Sequence, residues 1–313
     1  MRHNEQMTEI VKMENDVWQV GIVPQSGGSV AYARSRVGDA WVDVLRPTSG
    51  EDLAKAATTA SYPLVPWSNR IRDGKLQWAG RTYQLRINAP DGTAIHGTGT
   101  EYPWTVVERD ATRVTLEFVS RNYYGVNFPW PFTARCTYAL DGDRFTWTTS
   151  LTNEAHETFP AGFGHHPYFL RQLAGPDGAI GGDALLELAC EQAYPVERVM
   201  AIGPAGALPP HLDFRQLRPL GSVFVDDCFT GRTSPTFATI EYPGALTVRI
   251  DADELYSHGV VYIPEGKPFF AVEPVTNVND GFTLEAAGQH GTGVFLIQPA
   301  ETRGASFSLV AEA

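Results

Sequence analysis

Short runs of alternating apolar and polar residues recur along this chain and constrain its fold more than any other feature. Thr112–Ser120 (TRVTLEFVS) and Phe132–Leu140 have the period of two that places successive side chains on opposite faces of a half-buried β-strand. An Asp141-Gly142-Asp143 turn connects the second run to Arg144–Leu151, which predicts a β-hairpin. Similar runs predict strands at Ala245–Ala252, Gly293–Gln298 and Ala305–Val310.

Helical patterns are rare by comparison. Gly50–Thr59 and Thr283–Ala287 predict two short helices, while 30 glycines and 22 prolines punctuate the rest of the sequence. This balance favours an antiparallel all-β fold. The 313 residues contain no Ser/Gly/Pro-rich linker and no internal repeat, and β-folds of more than about 200 residues are common. Residues 1–313 are therefore expected to form one domain.

The charge of the chain argues against partners that carry dense negative charge. The formal net charge is −12 and the basic residues are scattered, so we expect no nucleic-acid partner and no membrane partner. No run approaches the roughly 20 apolar residues of a membrane span, and the N-terminus leads into no apolar signal segment. Three widely spaced cysteines (Cys136, Cys190 and Cys228) are typical of reduced thiols. These features predict a cytoplasmic protein.

Titratable side chains are embedded among apolar residues and glycines in four short segments, with a weaker fifth. Burying such a side chain is costly unless it is paired or used in chemistry, so these segments are the candidates for a functional site. The segments are Trp67–Gly74, Ala94–Gly97, Gly162–Phe169, Ala271–Pro274 and, more weakly, Val225–Phe229.

Backbone parity, the alternation of side chains between the two faces of an extended segment, limits which of these side chains can share a pocket. His166 precedes Pro167, which disfavours helical backbone, so this stretch is expected to be extended. Neighbouring side chains on extended backbone point to opposite faces, and only one of His165 and His166 can enter a given pocket. The flanking glycines are expected to let a ligand approach closely.

The same argument applies to the two acidic segments. Parity separates Asp226 from Asp227. Glu273 precedes Pro274 and is therefore also predicted on extended backbone, at the edge or end of a strand where proline is tolerated.

The order and spacing of these motifs resemble those of the aldose 1-epimerase (galactose mutarotase) family. The motifs are PLVPWSNRIRDG from Pro63, His96-Gly97, GFGHHPYF from Gly162, DDCF from Asp226 and AVEP from Ala271. The resemblance extends from about Val17 to Val310. It implies a large, mostly antiparallel β-sandwich, an isomerase that interconverts the anomers of a free aldose, and no metal or organic cofactor.

The resemblance also implies a role for individual residues. His166, directly before Pro-Tyr-Phe, corresponds to the general acid, and Glu273 corresponds to the general base. His96, Arg70 and Asp226 correspond to residues that hold the sugar hydroxyls and the ring oxygen. Asp226 is preferred to Asp227 by its distance from the aromatic Phe229, and Arg70 is preferred to Arg72 because it follows Asn69. An extended segment would put both arginines on one side, so the sequence alone does not exclude Arg72 as the arginine that faces the pocket.

Other features leave the substrate open. Val275 and Thr98 stand where many family members carry glutamine and glycine, which weakens any choice of sugar. A hexose-phosphate mutarotase and a non-catalytic carbohydrate-binding or sensor protein are the alternatives. Both a monomer and a homodimer are compatible with the sequence.

The remaining aromatic and titratable residues receive simpler predictions. Phe229, Trp67 and Tyr168 are candidates to stack on the apolar face of a pyranose. His165, Arg72 and Asp227 are expected to be structural. The histidines without a motif are expected at the surface or in turns, and they are His3, His156, His211, His258 and His290.

Overall fold

Strands account for most of the chain, as the alternating pattern predicts. A computed structural model of the protein describes residues 9–312. The first fifteen strands are β1 Val11–Glu14, β2 Trp18–Val23, β3 Ser29–Val37, β4 Ala40–Leu45, β5 Pro63–Leu64, β6 Arg70–Ile71, β7 Lys75–Trp78, β8 Arg81–Gln84, β9 Ala94–Ile95, β10 Thr105–Arg109, β11 Arg113–Val119, β12 Phe132–Asp141, β13 Arg144–Asn153, β14 Phe159–Ala161 and β15 Gly164–His165. The next fifteen are β16 Tyr168–Gly175, β17 Gly178–Ile180, β18 Leu185–Leu188, β19 Cys190–Ala193, β20 Val196–Glu197, β21 Met200–Ala201, β22 Gly206–Ala207, β23 Arg218–Pro219, β24 Val225–Arg232, β25 Thr236–Tyr242, β26 Leu246–Ala252, β27 His258–Ile263, β28 Phe269–Val275, β29 Phe295–Ile297 and β30 Thr302–Glu312.

Helical structure is confined to short segments between the strands. The α-helix α1 spans Gly281–Ala286, close to the predicted Thr283–Ala287. The 3₁₀ helices are Gly50–Ala54, Ala56–Thr58, Arg72–Gly74, Gly99–Glu101, Ser120–Asn122 and Pro210–Leu212. The single helix predicted over Gly50–Thr59 is therefore wrong. Lys55 has extended backbone (φ −124°, ψ 118°) and divides the segment into two 3₁₀ turns.

Two large sheets contain most of the strands. The large sheet has thirteen strands and runs in the order β1-β2-β3-β4-β16-β28-β27-β24-β19-β22, with β5, β15 and β17 attached to it. The second sheet has nine strands in the order β10-β11-β12-β13-β30-β26-β25-β18-β23. Every pairing within these two sheets is antiparallel. Four two-stranded pairs, β14-β29, β20-β21, β6-β9 and β7-β8, decorate the sheets.

The two sheets pack face to face around one apolar core. Trp18 on β2 contacts Phe145 on β13, with ring centroids 6.0 Å apart, and its indole nitrogen donates to the Asp143 carbonyl. Tyr242 on β25 donates its hydroxyl hydrogen to the Leu170 carbonyl on β16. Side chains from both sheets thus join a single buried cluster, and the architecture is the predicted antiparallel β-sandwich.

The predicted strands are confirmed, with small differences at their ends. The runs at 112–120, 132–140, 144–151, 245–252, 293–298 and 305–310 form β11, β12, β13, β26, β29 and β30. β12 pairs with β13 from Phe132 opposite Asn153 to Asp141 opposite Arg144, which is the predicted hairpin. Alternate residues are buried along the whole of β13, as the alternating sequence requires.

The outer face of the large sheet carries a second, smaller apolar cluster that positions the polar motifs. β28 lies in the interior of the sheet, between β27 and β16. Its Phe270 and Val272 side chains join the core between the sheets, whereas Ala271 and Val275 join the outer cluster. Glu273 shares the face of Ala271 and Val275, so strand parity turns its carboxyl away from the second sheet.

Candidate active site

A cavity of about 340 Å³ lies on this outer face. Strand register places Asp226 on β24 opposite Tyr262 on β27, Tyr262 opposite Ala271 on β28, and Ala271 opposite Tyr168 on β16. Glu273 follows two residues after Ala271 and projects from the same face. The other lining residues come from the segments that cover the sheet, and they are Tyr62, Asn69, Arg70, Ile95, His96, His166, Val199 and Phe224.

All five residues predicted for the site line this one cavity. They are Arg70 on β6, His96 directly after β9, His166 between β15 and β16, Asp226 on β24 and Glu273 on β28. The fold therefore brings together polar side chains that the sequence distributes over five distant segments.

His166 and Glu273 face each other at the bottom of the cavity. The Nε2 atom of His166 lies 3.1 Å from Oε1 of Glu273, and the two side chains are 8% and 2% exposed. The second polar atom of each group, Nδ1 of His166 and Oε2 of Glu273, is buried without a hydrogen-bond partner among residues 9–312. Unsatisfied buried polar atoms are uncommon in proteins, and two in one contact mark this pair as a candidate for a functional role.

Burial shifts the pKa values of this pair in opposite directions. Loss of water raises the pKa of Glu273 well above its usual value; the Asp226 carboxylate adds to this shift and Arg70 opposes it. Loss of water also lowers the pKa of His166 well below its usual value, and the neighbouring His96 adds to that shift. Both shifts favour the uncharged forms of the two groups, a carboxylic acid and a neutral imidazole.

The strand that carries Glu273 accommodates the following proline through a gap in its pairing. β16 pairs with β28 as far as Tyr168 opposite Ala271, and β15 resumes the pairing at Gly164 opposite Val275. Pro274 lies within this gap, where its missing N–H leaves no ladder bond unmade. The extended backbone predicted for Glu273 is observed, and Pro274 is the penultimate residue of an interior strand rather than part of an edge strand.

His165 and His166 point to opposite faces, as parity requires. His165 is fully buried between the sheets, where its Nε2 atom lies 3.2 Å from Oγ1 of Thr149 and its ring packs against Trp147 and Phe307. Burial lowers the pKa of His165 to about 3, so the ring is neutral in the core. His165 is thus a core residue and His166 a cavity residue.

The glycines before these histidines serve strand packing and not ligand access, so that prediction is wrong. A Cβ at Gly162 would lie 2.0 Å from Oδ1 of Asn277, and a Cβ at Gly164 would lie 2.7 Å from Cγ1 of Val275. Both glycines are needed because β28 and the segment after it approach the backbone closely at these positions.

His96 is held on left-handed backbone by the glycine that follows it. His96 has a φ of +62° and Gly97 a φ of +72°, and a Cβ at Gly97 would lie 1.9 Å from the Val65 carbonyl oxygen. The His96 ring meets the His166 ring edge to face, with centroids 5.4 Å apart. Burial, with a further contribution from Arg70, lowers the pKa of His96 to about 3. The His-Gly dipeptide therefore directs a neutral imidazole towards the ring of His166.

Arg70 forms the charged side of the cavity together with two carboxylates. Its Nε atom donates to Oδ2 of Asp91 at 2.8 Å, and its Nη1 atom lies 3.6 Å from Oδ2 of Asp226. Nη1 also lies 3.3 Å from Oδ1 of Asn69. Burial raises the pKa of Asp226, and Arg70 opposes that shift. Asp91 was missed in the sequence, although its position before Gly92-Thr93 marked it as a turn residue.

Arg72 and Asp227, the alternatives to Arg70 and Asp226, do not line this cavity. Arg72 begins a 3₁₀ turn in which Asp73 has a φ of +53°, so the extended geometry that would align Arg72 with Arg70 ends there. The Arg72 guanidinium binds Asp280, with Nε 2.9 Å from Oδ2, and is outside the cavity lining. Asp227 lines a separate depression on the protein surface.

The aromatic wall differs from the prediction in two of three positions. Tyr168 lines the cavity as expected, with its ring centroid 4.3 Å from that of His166. Trp67 and Phe229 are buried in the core between the sheets, so their assignment as stacking residues is wrong. The residues that the sequence did not reveal are Tyr62, Tyr262 and Phe224; Tyr62 stacks on His166 at 5.1 Å.

The prediction that His258 lies at the surface or in a turn is also wrong. It is 2% exposed, with Nδ1 3.0 Å from the Thr276 carbonyl oxygen and Nε2 3.1 Å from the Gly291 carbonyl oxygen, and it does not lie at the surface as expected. It packs where a loop crosses the end of β28, a contact that the sequence could not reveal. His156, His211 and His290 are exposed as predicted, and His3 lies outside the described residues.

Cys136, Cys190 and Cys228 are buried free thiols. Within residues 9–312, no three His, Cys, Asp or Glu side chains are grouped as a bound metal ion would need. No helix in the same range has the length and apolar composition required to cross a bilayer.

A family model and two known proteins match this sequence. The sequence model of aldose 1-epimerase matches residues 10–309. The uncharacterized protein YphB of Escherichia coli (strain K12) is 32% identical over 203 residues, which cover 64% of this chain and 63% of that protein. The aligned stretch thus spans less than two thirds of YphB. The uncharacterized protein YihR of the same organism is 29% identical over 224 residues, 68% of each chain.

Solved structures share the fold. A galactose mutarotase-like protein from Clostridium acetobutylicum superimposes with a TM-score of 0.80 at 20% identity, covering 97% of this chain and 95% of the other. A GalM/aldose epimerase homologue from C. elegans gives a TM-score of 0.79 at 14% identity, covering 97% and 98%. These identities show a common fold alone, but the sequence match covers nearly the whole chain. The chain therefore belongs to the aldose 1-epimerase family.

Proposed function

We propose that this protein is a mutarotase that interconverts the α and β anomers of an uncharged aldose. The observation that supports this most strongly is the buried 3.1 Å contact between His166 and Glu273 on the floor of a sugar-sized cavity. Arg70, His96 and Asp226 line the same cavity and supply hydrogen-bonding groups for hydroxyls. A proton donor beside a proton acceptor is what the opening of a sugar ring requires.

The reaction needs two proton transfers and no added reactant. The Glu273 carboxylate takes the proton from O1 while the His166 imidazolium gives a proton to O5. The C1–O5 bond breaks, the C1–O1 bond becomes a carbonyl, and the aldehyde rotates about C1–C2. Ring closure from the other face returns a proton to O1 and removes the proton from O5, so each residue regains its starting state.

The protonation state of the free pair suits this exchange. One proton shared by Glu273 and His166 would give the same net charge whether it resided on the carboxyl or on the imidazole. A sugar that inserts its C1–O5 edge replaces the contact between His166 and Glu273 with contacts to O1 and O5. The acid and the base are then generated by moving one proton across a short distance, without taking a net charge into the buried floor.

The other cavity residues stabilise the substrate and the developing charge. Arg70 and the neutral His96 ring can donate hydrogen bonds to an oxygen that gains negative charge during ring opening. Asp226 can accept hydrogen bonds from sugar hydroxyls. The Tyr62 and Tyr168 rings, which pack against His166, restrict the orientation of the imidazole.

The charge distribution favours an uncharged aldose over a phosphorylated one. Arg70 is the one lysine or arginine among the described residues that line the cavity. Its guanidinium is already engaged by Asp91 and Asp226. A phosphate group would meet two carboxylates with one guanidinium to share, whereas phosphate sites commonly offer free basic side chains. Competition between glucose and glucose 6-phosphate would separate the two substrates.

Polarimetry on freshly dissolved α-D-glucose and α-D-galactose, with a panel of other aldoses, tests the proposal. Wild type is expected to accelerate mutarotation of at least one sugar. Glu273→Gln and His166→Asn should each lower kcat by about 10²–10⁴-fold, the usual contribution of a positioned acid or base. Glu265→Gln and His156→Asn change the same residue types at exposed positions and should leave the rate unchanged.

Two results would count against a mutarotase. Wild-type rates equal to the buffer rate for every sugar would refute the proposal. Sugar affinity by calorimetry in both wild type and Glu273→Gln, without turnover in wild type, would show a carbohydrate-binding protein instead.

A further inference from the structure

Within the described residues, no hydrogen bond fixes the second nitrogen of the His166 ring. Its Nε2 atom contacts Glu273, while Nδ1 is buried without a hydrogen-bond partner among residues 9–312. In Ser-His-Asp sites the second ring nitrogen donates to a carboxylate, which holds the imidazole in its working orientation. The orientation of His166 therefore depends on the groups that pack against its ring.

Two tyrosine rings provide this packing. The Tyr168 ring centroid lies 4.3 Å from that of His166, at an interplanar angle of 33°, and the Tyr62 ring stacks on His166 at 5.1 Å. Main-chain hydrogen bonds join the same segments. The His166 amide donates to the Tyr62 carbonyl oxygen, and the Tyr168 amide donates to the Ala60 carbonyl oxygen. A shift of either tyrosine ring would change the space in which the imidazole can rotate.

Arg46, which directly follows β4, contacts both of these elements. Its guanidinium carbon lies 4.0 Å from the ring centroid of Tyr168 and 4.6 Å from that of Phe269. Its Nη2 atom donates to the two carbonyl oxygens of Thr58-Thr59, at 3.0 Å and 2.8 Å, in the segment that leads into Tyr62. One side chain thus holds the Tyr168 ring and the backbone that carries Tyr62.

The Tyr168 ring connects Arg46 to the acid–base pair. The ring contacts the Arg46 guanidinium on the one hand and the His166 imidazole on the other. Attraction between a guanidinium and an aromatic face is strengthened where water is partly excluded, as it is around the half-buried Arg46. Arg46 itself is not among the residues that line the cavity, so it can affect the reaction only through its neighbours.

We propose that Arg46 is a positioning residue that holds Tyr168 against His166, so that Nε2 stays aligned with Glu273 and with O5 of a bound sugar. The inference rests on the proposed mutarotase function and adds to it a residue that does not touch the sugar. Loss of Arg46 should therefore lower kcat and leave KM almost unchanged.

Polarimetry with the sugar that wild type turns over fastest tests this consequence. Arg46→Met keeps an apolar stem but removes the planar cation and its donors, and it should lower kcat about tenfold while KM changes by less than about twofold. Arg46→Lys keeps a cation at the ring but not the planar fork, and it should restore kcat to within about threefold of wild type.

Arg218 provides a matched control. Its guanidinium carbon lies 4.5 Å from the Phe214 ring centroid, and Nη1 donates to the Asp213 carbonyl oxygen. The residue belongs to the second sheet and is not among those that line the cavity. Arg218→Met should therefore leave both kcat and KM unchanged.

A double-mutant cycle tests whether the effect passes through the Tyr168 ring. Tyr168→Leu removes the ring, so Arg46→Met in that background should lower kcat by less than about twofold. Tyr168→Phe keeps an aromatic face, and in that background Arg46→Met should again lower kcat about tenfold. A general structural defect would give the same loss in both backgrounds, and Tm measurements show that each compared variant is folded at the assay temperature.

The outcomes distinguish the positioning role from the reaction. Wild-type kcat in Arg46→Met, a loss that lies in KM, or an equal loss of kcat in the Tyr168→Leu background would each overturn the role of Arg46 and leave the mutarotase proposal standing. Turnover of no sugar by wild type would overturn the mutarotase proposal and the positioning role with it.

Discussion

Replacement of Glu273 by glutamine tests the acid–base pair while it preserves the shape of the site. Glutamine has nearly the same volume, so the fully enclosed position on β28 remains filled. The amide cannot accept the O1 proton, and the contact with His166 loses its titratable carboxyl. A loss of about 10²–10⁴-fold in kcat corresponds to about 2.7–5.4 kcal/mol of transition-state stabilisation.

The same variant has a predicted effect on stability that depends on pH. Burial raises the pKa of Glu273 in the folded protein above its usual value. A raised folded pKa gives stability that is complete below the unfolded pKa and is lost as pH rises through the folded pKa. Glu273→Gln has no such group, so its Tm relative to wild type should increase as pH rises above 4.5, the usual pKa of a glutamate.

Thermal unfolding and polarimetry on the same preparations give both readouts. Glu265→Gln, an exposed position, controls for the general effect of removing one carboxylate. Retention of more than a tenth of wild-type kcat by Glu273→Gln would refute the assigned role. A Tm difference that does not grow with pH would refute the raised pKa.

Three further perturbations follow from the surroundings of the site. Gly97→Ala should lower the free energy of unfolding, measured by chemical denaturation, by about 1–3 kcal/mol or more, because its Cβ would lie 1.9 Å from a carbonyl oxygen. Gly38→Ala is the control, because Gly38 has a similar positive φ but open space around its Cβ position. Asp91→Asn should raise KM by a larger factor than it lowers kcat, since Asp91 orients Arg70. A rise in KM that only equals the fall in kcat would count against this positioning role. Burial lowers the pKa of His258 to about 4, so wild type should lose stability as pH falls from about 6.5 towards about 4. In Tm measurements over this pH range, His258→Asn should lose less stability than wild type.

Much of the fold follows from local pattern. The alternation in β13 is the alternation of its burial, because a strand exposes its two faces in turn to core and solvent. Parity likewise separated His165, in the core, from His166, in the cavity. These predictions required only the geometry of two or three consecutive residues, which the sequence specifies directly.

The predictions that failed depended on contacts between distant segments. Gly162 and Gly164 were assigned to ligand access, but the approach of β28 and the segment after it requires them. Trp67 and Phe229 were assigned to the cavity wall, but they face the core. His258 was assigned to the surface, but a later loop covers it. In each case the residue type is compatible with either environment, and the neighbour that decides is far away in sequence.

His166 and Glu273 show what the sequence and the tertiary structure each determine. The sequence by itself determined that His166 and Glu273 stand on extended backbone before prolines, and that the chain forms an antiparallel β-fold. Only the tertiary structure decided that their polar atoms meet at 3.1 Å, that Arg70 and not Arg72 faces them, and that Val199 and Phe224 line the cavity. The physical reason is that local backbone geometry sets the direction of a side chain, whereas sheet register and loop packing set what it meets.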